Sequence, residues 1–367
     1  MSALFEVTGW GTIVLAWLLA VVVMTLVVRS WARLAQPGLR SVLLRVVALL
    51  LVTISLALAI GTAANRAGLW FVSWRDLGSV LGGPDPAAVR ALGADPRVAA
   101  TTDLGPWGPA SAPVVASAAP TPDATTVLQA YTVTGPTSGH TGMVYAWTAP
   151  GEPREGRPAV QVFHGYPVSA QSAFANLALA EYVGRALPGA VVIVPDWSPG
   201  EVDTECVDGP AAQMETWLTT DVPAWAVVTF GVKPERESWA ALGYSAGGWC
   251  ASMAAVRHPQ TYAAAISLGG YTRPLFSSHY EPTPPVGGAY DLPRLVAATP
   301  PAVALLTQFS EKDHYAGPTT ADFLAAVKPP LSVTEWATPD AGHRVGAWKP
   351  MIPDALTWLR QTSPGFA

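Results

Sequence analysis

Ser245 stands in Gly243-Tyr244-Ser245-Ala246-Gly247, after the short apolar run 239–242 and before an Ala-rich segment that reads as helix through Arg257. A serine hydroxyl is a weak nucleophile until an imidazole can take its proton, and the imidazole in turn needs an orienting carboxylate. Strand, G-x-S-x-G and helix in that order form the setting in which the serine is presented on a sharp turn above a sheet edge. The glycines at 243 and 247 leave room where strand and helix backbones meet. The N–H of Ala246, at the helix start, can face the negative charge that develops on an acyl carbonyl oxygen.

In this arrangement the acid and the histidine follow the serine along the chain. The histidines beyond Ser245 are His258, His279, His314 and His343. His343 lies in Ala-Gly-His-Arg-Val-Gly, a loop after the strand-like run 331–335, and is the expected base. His258 ends the elbow helix, where a cation suits the helix dipole, and is expected to be structural. His314 directly follows the expected acid, and His279 sits in a polar loop as the weaker rival. The run 302–309 leads into Ser310-Glu311-Lys312-Asp313, so Asp313 is the expected acid, with Glu311 as the fallback. A second oxyanion donor is expected from His164-Gly165-Tyr166-Pro167, which follows the run 159–163. The Tyr166 N–H can pair with that of Ala246, whereas Pro167 has no N–H to give. His164 is expected to be a buried turn residue.

Strand-like runs at 127–133, 143–148, 159–163, 190–194, 239–243, 263–268, 302–309 and 331–335 alternate with helix-like segments such as 170–186. Continuous apolar runs of this kind suit buried parallel strands, and the alternation points to a doubly wound α/β domain over residues 126–367. Cys206 and Cys250 are the two thiols and are expected to form a disulfide in an exported domain. Asp203, Glu205 and Asp208 match no calcium-loop spacing and read as a solvated acidic loop. No metal or organic cofactor is expected.

Residues 12–28 form an apolar run of 17, about 26 Å as helix, and 46–64 form a second. Arg29, Arg33, Arg40 and Arg45 lie between them around a Pro37-Gly38 turn, which favours the cytoplasmic side for this connection. The reading is a transmembrane hairpin over residues 1–66 that leaves everything after Asn65 on the outer face; a cleaved signal at the second run is the alternative. Trp70, Phe71, Trp74 and Leu77 suggest either an aromatic segment at the membrane interface or a linker packed on the domain. Within 67–125, the Pro-, Ala- and Gly-rich stretch 82–125 reads as an extended tether.

The motifs taken together resemble the esterase D family, which includes the antigen 85 mycolyltransferases. The resemblance rests on Gly-Tyr-Ser-Ala-Gly-Gly, the helix ending Arg-His-Pro-Gln, Gly-His-Arg-Val-Gly-Ala-Trp, and the segment 215–225 with Val232-Lys233-Pro234. It implies an α/β-hydrolase acting on acyl esters and carries nucleophile, acid and base onto Ser245, Asp313 and His343. The mycolyltransferases have Met and Ala where this chain has Ala246 and Gly247, so ester hydrolysis is the expectation. Acyl transfer to a sugar or lipid acceptor is the first alternative, and an inactive fold used as an envelope binding module the second. Expected partners are a small-molecule, lipid or glycolipid ester and the bilayer; the oligomeric state is left open. A net charge of −5, without a basic run beyond the N-terminal region, excludes nucleic acid as the expected ligand. Four Lys among 21 basic residues, with abundant Ala, Val, Pro and Trp, resemble the usage of high-GC actinobacteria.

Overall fold

Residues 2–83, 87–105, 115–118, 128–149, 155–210, 212–277 and 286–367 are described in a computed structural model of the chain. They fall into two units, 1–85 with 340–344, and 86–339 with 345–367.

The larger unit is built on one sheet, whose strands are β1 (Ala88–Gly93), β2 (Val115–Ala118), β3 (Gln129–Thr134), β4 (Thr141–Thr148) and β5 (Ala159–Phe163). They are followed by β6 (Val191–Pro195), β7 (Trp239–Tyr244), β8 (Ala264–Leu268), β9 (Ala304–Phe309) and β10 (Ser332–Ala337). Spatial order is β1-β10-β9-β8-β7-β5-β6-β4-β3-β2. The six strands from β10 to β6 run parallel, and antiparallel β1 and β4 flank them. Every residue of β5, β6, β7, β8 and β9 is buried. Helices on both faces explain why these segments are apolar throughout and do not alternate. This is the mostly parallel, doubly wound sheet of an α/β-hydrolase fold.

The order has one functional consequence. From β5 the chain steps outward to β6, then returns to β7 on the other side of β5 and continues away through β8, β9 and β10. The carboxyl ends of β5 and β7 therefore flank the switch point of the sheet, where open α/β sheets form their ligand crevice. The turn 164–167 leaves the first of these ends and Ser245 the second.

Three details differ from the sequence reading. Residues 170–186 are two helices, Ala170–Asn176 and Leu179–Ala186, separated by Ala178 in the left-handed region at φ 51°. The stretch read as a tether contributes β1, paired in register with β10 from Ala88↔Ala337 to Gly93↔Ser332. It also contributes a helix, Pro96–Thr101, capped by the Asp95 carboxylate. Buried Arg236 fixes that helix, donating to the carbonyls of Ala100 at 2.7 Å, Thr102 at 3.1 Å and Ala302 at 2.6 Å. Composition hid these elements because short Ala-rich segments held by distant partners carry little pattern of their own. Third, the acidic loop is not solvated: Asp203 and Glu205 are each 2% exposed.

In the smaller unit, α1 (Trp10–Leu34) and α2 (Leu39–Gly68) form a hairpin, each long and apolar enough to cross a bilayer. The expected spans 12–28 and 46–64 lie within them, and the four arginines extend the helices on either side of the turn 35–38. Small residues let the backbones approach, with Ala16, Ala20 and Ala59 buried between the helices. Asn65 closes the end of α2: its Nδ2 donates to the Phe71 carbonyl at 2.8 Å, and its Oδ1 accepts from the Phe71 N–H at 2.9 Å. The chain then enters α3 (Trp74–Gly82), capped by the Ser73 hydroxyl, which accepts from the Asp76 N–H.

Candidate active site

Ser245 links β7 to the helix Ala246–Arg257 with φ 56° and ψ −129°. A non-glycine residue in that region is strained, and such strain persists only where the surroundings over-determine it. Here the Ser245 N–H donates to the Leu268 carbonyl of β8 at 2.9 Å, and its own carbonyl accepts from Gly248 N–H at 2.9 Å. Glycines supply the necessary space on either side. A Cβ on Gly243 would collide with the Gly247 carbonyl, and one on Gly247 would collide with the carbonyl of Phe163 and stand 2.5 Å from that of His164. The elbow helix thus begins directly against the end of β5 and its following turn. On that turn, a Cβ on Gly165 would stand 3.4 Å from the Ser245 Cβ.

The turn owes its shape to buried neighbours. Val168 N–H donates to the Gly165 carbonyl at 2.9 Å, closing the bend around Tyr166 and Pro167. His164 is fully buried and stacks on Trp197 with ring centroids 5.0 Å apart. Its Nε2 lies 3.5 Å from Asp196 Oδ1, and its carbonyl accepts from Trp197 Nε1 at 2.9 Å. Burial pushes the Asp196 carboxyl up, but His164 outweighs it and holds the group below its ordinary value. His164 is therefore a buried turn residue, as its sequence context suggested.

Burial separates the two candidate acids. Asp313 is 2% exposed, while Glu311 and His314 are exposed on the same loop. Asp313 Oδ1 accepts from the N–H groups of Tyr315 at 3.0 Å and Ala316 at 3.2 Å. These bonds fix the carboxylate four residues beyond β9. His343 is half-buried, six residues beyond β10, which is the parallel neighbour of β9. His279 lies outside the described residues. His258 caps the elbow helix at its far end, with Nε2 2.7 Å from Glu215 Oε1. Among the described residues no cluster of three or more His, Cys, Asp or Glu could hold a metal ion.

Cys206 and Cys250 form a disulfide with Cα atoms 5.7 Å apart. It spans 44 residues, a closure that stabilises by about 4 kcal/mol on the chain-entropy account. It joins the elbow helix to the loop that carries Glu205. There the Glu205 carboxylate accepts from the Tyr271 hydroxyl and, at 3.2 Å, from Leu275 N–H. Asp203 Oδ2 accepts from Ser277 N–H at 2.8 Å. Sequence reasoning missed this support, since nothing local to 203–205 announces partners about 70 residues away. The same applies to Asp76 and Arg344, which are joined across 268 positions.

A family model described as "Putative esterase" matches residues 141–359. An S-formylglutathione hydrolase from Agrobacterium tumefaciens is similar in structure at TM-score 0.55 and 18% identity, over 64% of this chain and 95% of that one. A fluorophosphonate-binding serine hydrolase of Staphylococcus aureus is similar at TM-score 0.51 and 15% identity, over 68% and 99% of the two chains. At these identities the likeness establishes the fold. An uncharacterized protein of Corynebacterium glutamicum is 30% identical over 76 residues, which are 21% of this chain and only 18% of that relative. With the family match spanning more than half of the sequence, the chain belongs to this esterase family of α/β-hydrolases.

Proposed function

We infer that the protein is a membrane-anchored serine esterase in which Ser245, Asp313 and His343 form the catalytic triad and the catalytic domain faces outward. The observation that carries this reading is the elbow. Ser245 is held in a strained conformation at the switch point of the sheet, and the turn 164–167 is packed against it. Buried Asp313 after β9 and His343 after β10 follow in the chain order that this architecture requires.

In the reaction, the Ser245 Oγ attacks the ester carbonyl while His343 takes the hydroxyl proton. Asp313 orients the imidazole and stabilises its charged form. The N–H groups of Tyr166 and Ala246 receive the negative charge on the tetrahedral oxygen, where a single such donor contributes about 10²–10³ in rate. His343 then returns the proton to the departing alcohol. Water, activated by the same imidazole, attacks the acyl-enzyme, releases the acid and restores Ser245. The Arg29, Arg33, Arg40 and Arg45 group between α1 and α2 supports an outward catalytic domain, because such a cluster stays cytoplasmic.

Ser245→Ala in the full-length protein tests the mechanism. Hydrolysis of short p-nitrophenyl esters should fall by about 10⁴ or more, with fluorophosphonate labelling lost and the melting temperature kept. Retained hydrolysis would remove Ser245 as the nucleophile. Product analysis with a sugar alcohol present separates hydrolysis from acyl transfer.

A further inference from the structure

The segment Asp340–Arg344, which carries His343, belongs to the same unit as α3. Its two residues flanking His343 are gripped by one carboxylate. Gly342 N–H donates to Asp76 Oδ2 at 3.1 Å. The Arg344 guanidinium meets the same carboxylate as a fork, Nη1 to Oδ2 at 2.9 Å and Nη2 to Oδ1 at 2.6 Å. Further donors on Arg344 reach the Trp70 carbonyl at 2.9 Å and the Ser79 hydroxyl at 3.2 Å, and its guanidinium lies 4.4 Å over the Phe71 ring. Asp76 is in turn fixed by the residues that lead into its helix: its Oδ2 accepts from Val72 N–H at 3.0 Å, and its N–H donates to Ser73 Oγ at 3.0 Å. A Cβ on Gly342 would collide with the Trp70 carbonyl, so backbone meets backbone at this point.

The pair is buried, with side chains 3% and 15% exposed for Asp76 and Arg344. A bidentate, desolvated fork fixes orientation as well as distance, which a single surface ion pair does not. The opposite side of α3 is apolar and outward: Trp74, Leu77 and Leu81 are 50%, 38% and 96% exposed. The helix therefore presents Trp74, Leu77 and Leu81 to its surroundings and Ser73, Asp76 and Ser79 to the histidine segment.

We propose that Asp76 and Arg344 are positioning residues for the general base, so that the juxtamembrane helix α3 is a working part of the esterase and not only its tether. The proposal rests on the reading of His343 given above. With the Gly342 N–H and the Arg344 guanidinium, one residue on either side of His343, held by one carboxylate, the stretch of backbone that carries the imidazole is restrained. Without the clamp the segment moves, and the fraction of molecules with a correctly placed base falls. A displacement of about 1 Å in such a group costs about a hundredfold in rate.

The test uses full-length protein in detergent, with Asp76→Asn, Arg344→Gln and the double variant beside Ser245→Ala and His343→Ala. Four quantities are read: kcat and KM on a short p-nitrophenyl ester, the rate constant of fluorophosphonate labelling, and the melting temperature. Each single variant should lower kcat and the labelling rate together by about tenfold to a hundredfold, with KM within about twofold. The double variant should be no worse than the worse single, since both break one clamp. Asp76→Glu should recover part of the loss. Folded variants with wild-type kcat and labelling rate would overturn the proposal, as would a loss confined to the amplitude of labelling. If Asp76→Asn does not fold, Arg344→Lys keeps the charge but not the fork and must show an intermediate kcat. An active Ser245→Ala would sink the mechanism itself, whereas inactive Ser245→Ala with unaffected clamp variants sinks only the role of α3.

Discussion

Glu215→Gln should separate the roles of the two ends of the elbow helix. The Glu215 side chain is 5% exposed and receives Arg257 Nε at 2.6 Å, lies 2.7 Å from His258 Nε2, and accepts from the Tyr290 hydroxyl. Burial alone would push its carboxyl up, but His258, Arg257 and Tyr290 together hold it down to about 2. Against an ordinary value near 4.5, that corresponds to about 3 kcal/mol of folding stability, present above the unfolded-state value and lost as pH falls toward 2. Glutamine cannot carry the charge, so the variant should melt about 6–12 °C lower at pH 5 for a domain of this size. At pH 3 the unfolded carboxyl of the parent is already protonated, and the gap should shrink to less than half. Thermal unfolding of both proteins in the same detergent, at pH 5 and pH 3, gives the comparison. Because the network grips the helix end opposite Ser245, kcat of the folded variant at 25 °C should stay within about twofold of the parent. A melting gap that is constant with pH, or smaller than about 2 °C at pH 5, would refute the account of Glu215 as the charged centre of the network.

Gly247→Ala asks whether the elbow tolerates any side chain where the helix meets β5. Its Cβ would press on the carbonyls of Phe163 and His164, so the variant should lose about 1–3 kcal/mol and most esterase activity, read by melting and by fluorophosphonate labelling. Glu205→Gln probes the buried loop beside the disulfide. Burial pushes the Glu205 carboxyl up to about 8, against the Tyr271 hydroxyl, which lowers it, while the nearby Asp203 adds to the rise. A raised acid keeps its proton in the folded state, so the parent should lose stability as pH climbs from about 4.5 to 8, by at most about 1.4 kcal/mol per pH unit. The variant should be flatter over the same range, and equal slopes in a pH series of melting curves would contradict this.

The central sheet and its elbow were legible in the sequence because their signals are local. A continuous apolar run such as 159–163 declares a buried parallel strand whose observed limits are Ala159 and Phe163. Gly243 and Gly247 declare a close approach of backbones, and the structure shows which carbonyls make it. Chain order could rank Asp313 above Glu311, but only the fold separates a buried carboxylate from an exposed one two positions before it. Other features were not legible because their meaning lies in a partner far along the chain. β1 is a strand by virtue of β10, and the helix Pro96–Thr101 is held by Arg236. Asp203 and Glu205 looked like solvated charges because sequence does not reveal that Tyr271, Leu275 and Ser277 supply their donors.

Asp76 and Arg344 belong to that second group, and the energetics of their contact bear on why it exists. Removing a carboxylate and a guanidinium from water costs several kcal/mol per ion, and mutual attraction recovers this only with good geometry and further hydrogen bonds. Asp76 meets both conditions, with two backbone N–H groups and a two-nitrogen fork around one carboxylate. Even so, a buried pair of this kind gains little over well-packed apolar residues of similar volume. A helix that served only to rest on a bilayer could fill the same space with leucine and be equally stable. What apolar packing would not supply is direction: a fork from the Arg344 side chain and a bond from the Gly342 N–H tether the residues on either side of His343 and so restrain the backbone between them. The placement of a costly, directional contact on either side of His343, and on the face of α3 opposite its exposed apolar residues, is better explained by the needs of the imidazole than by those of the apolar hairpin before it.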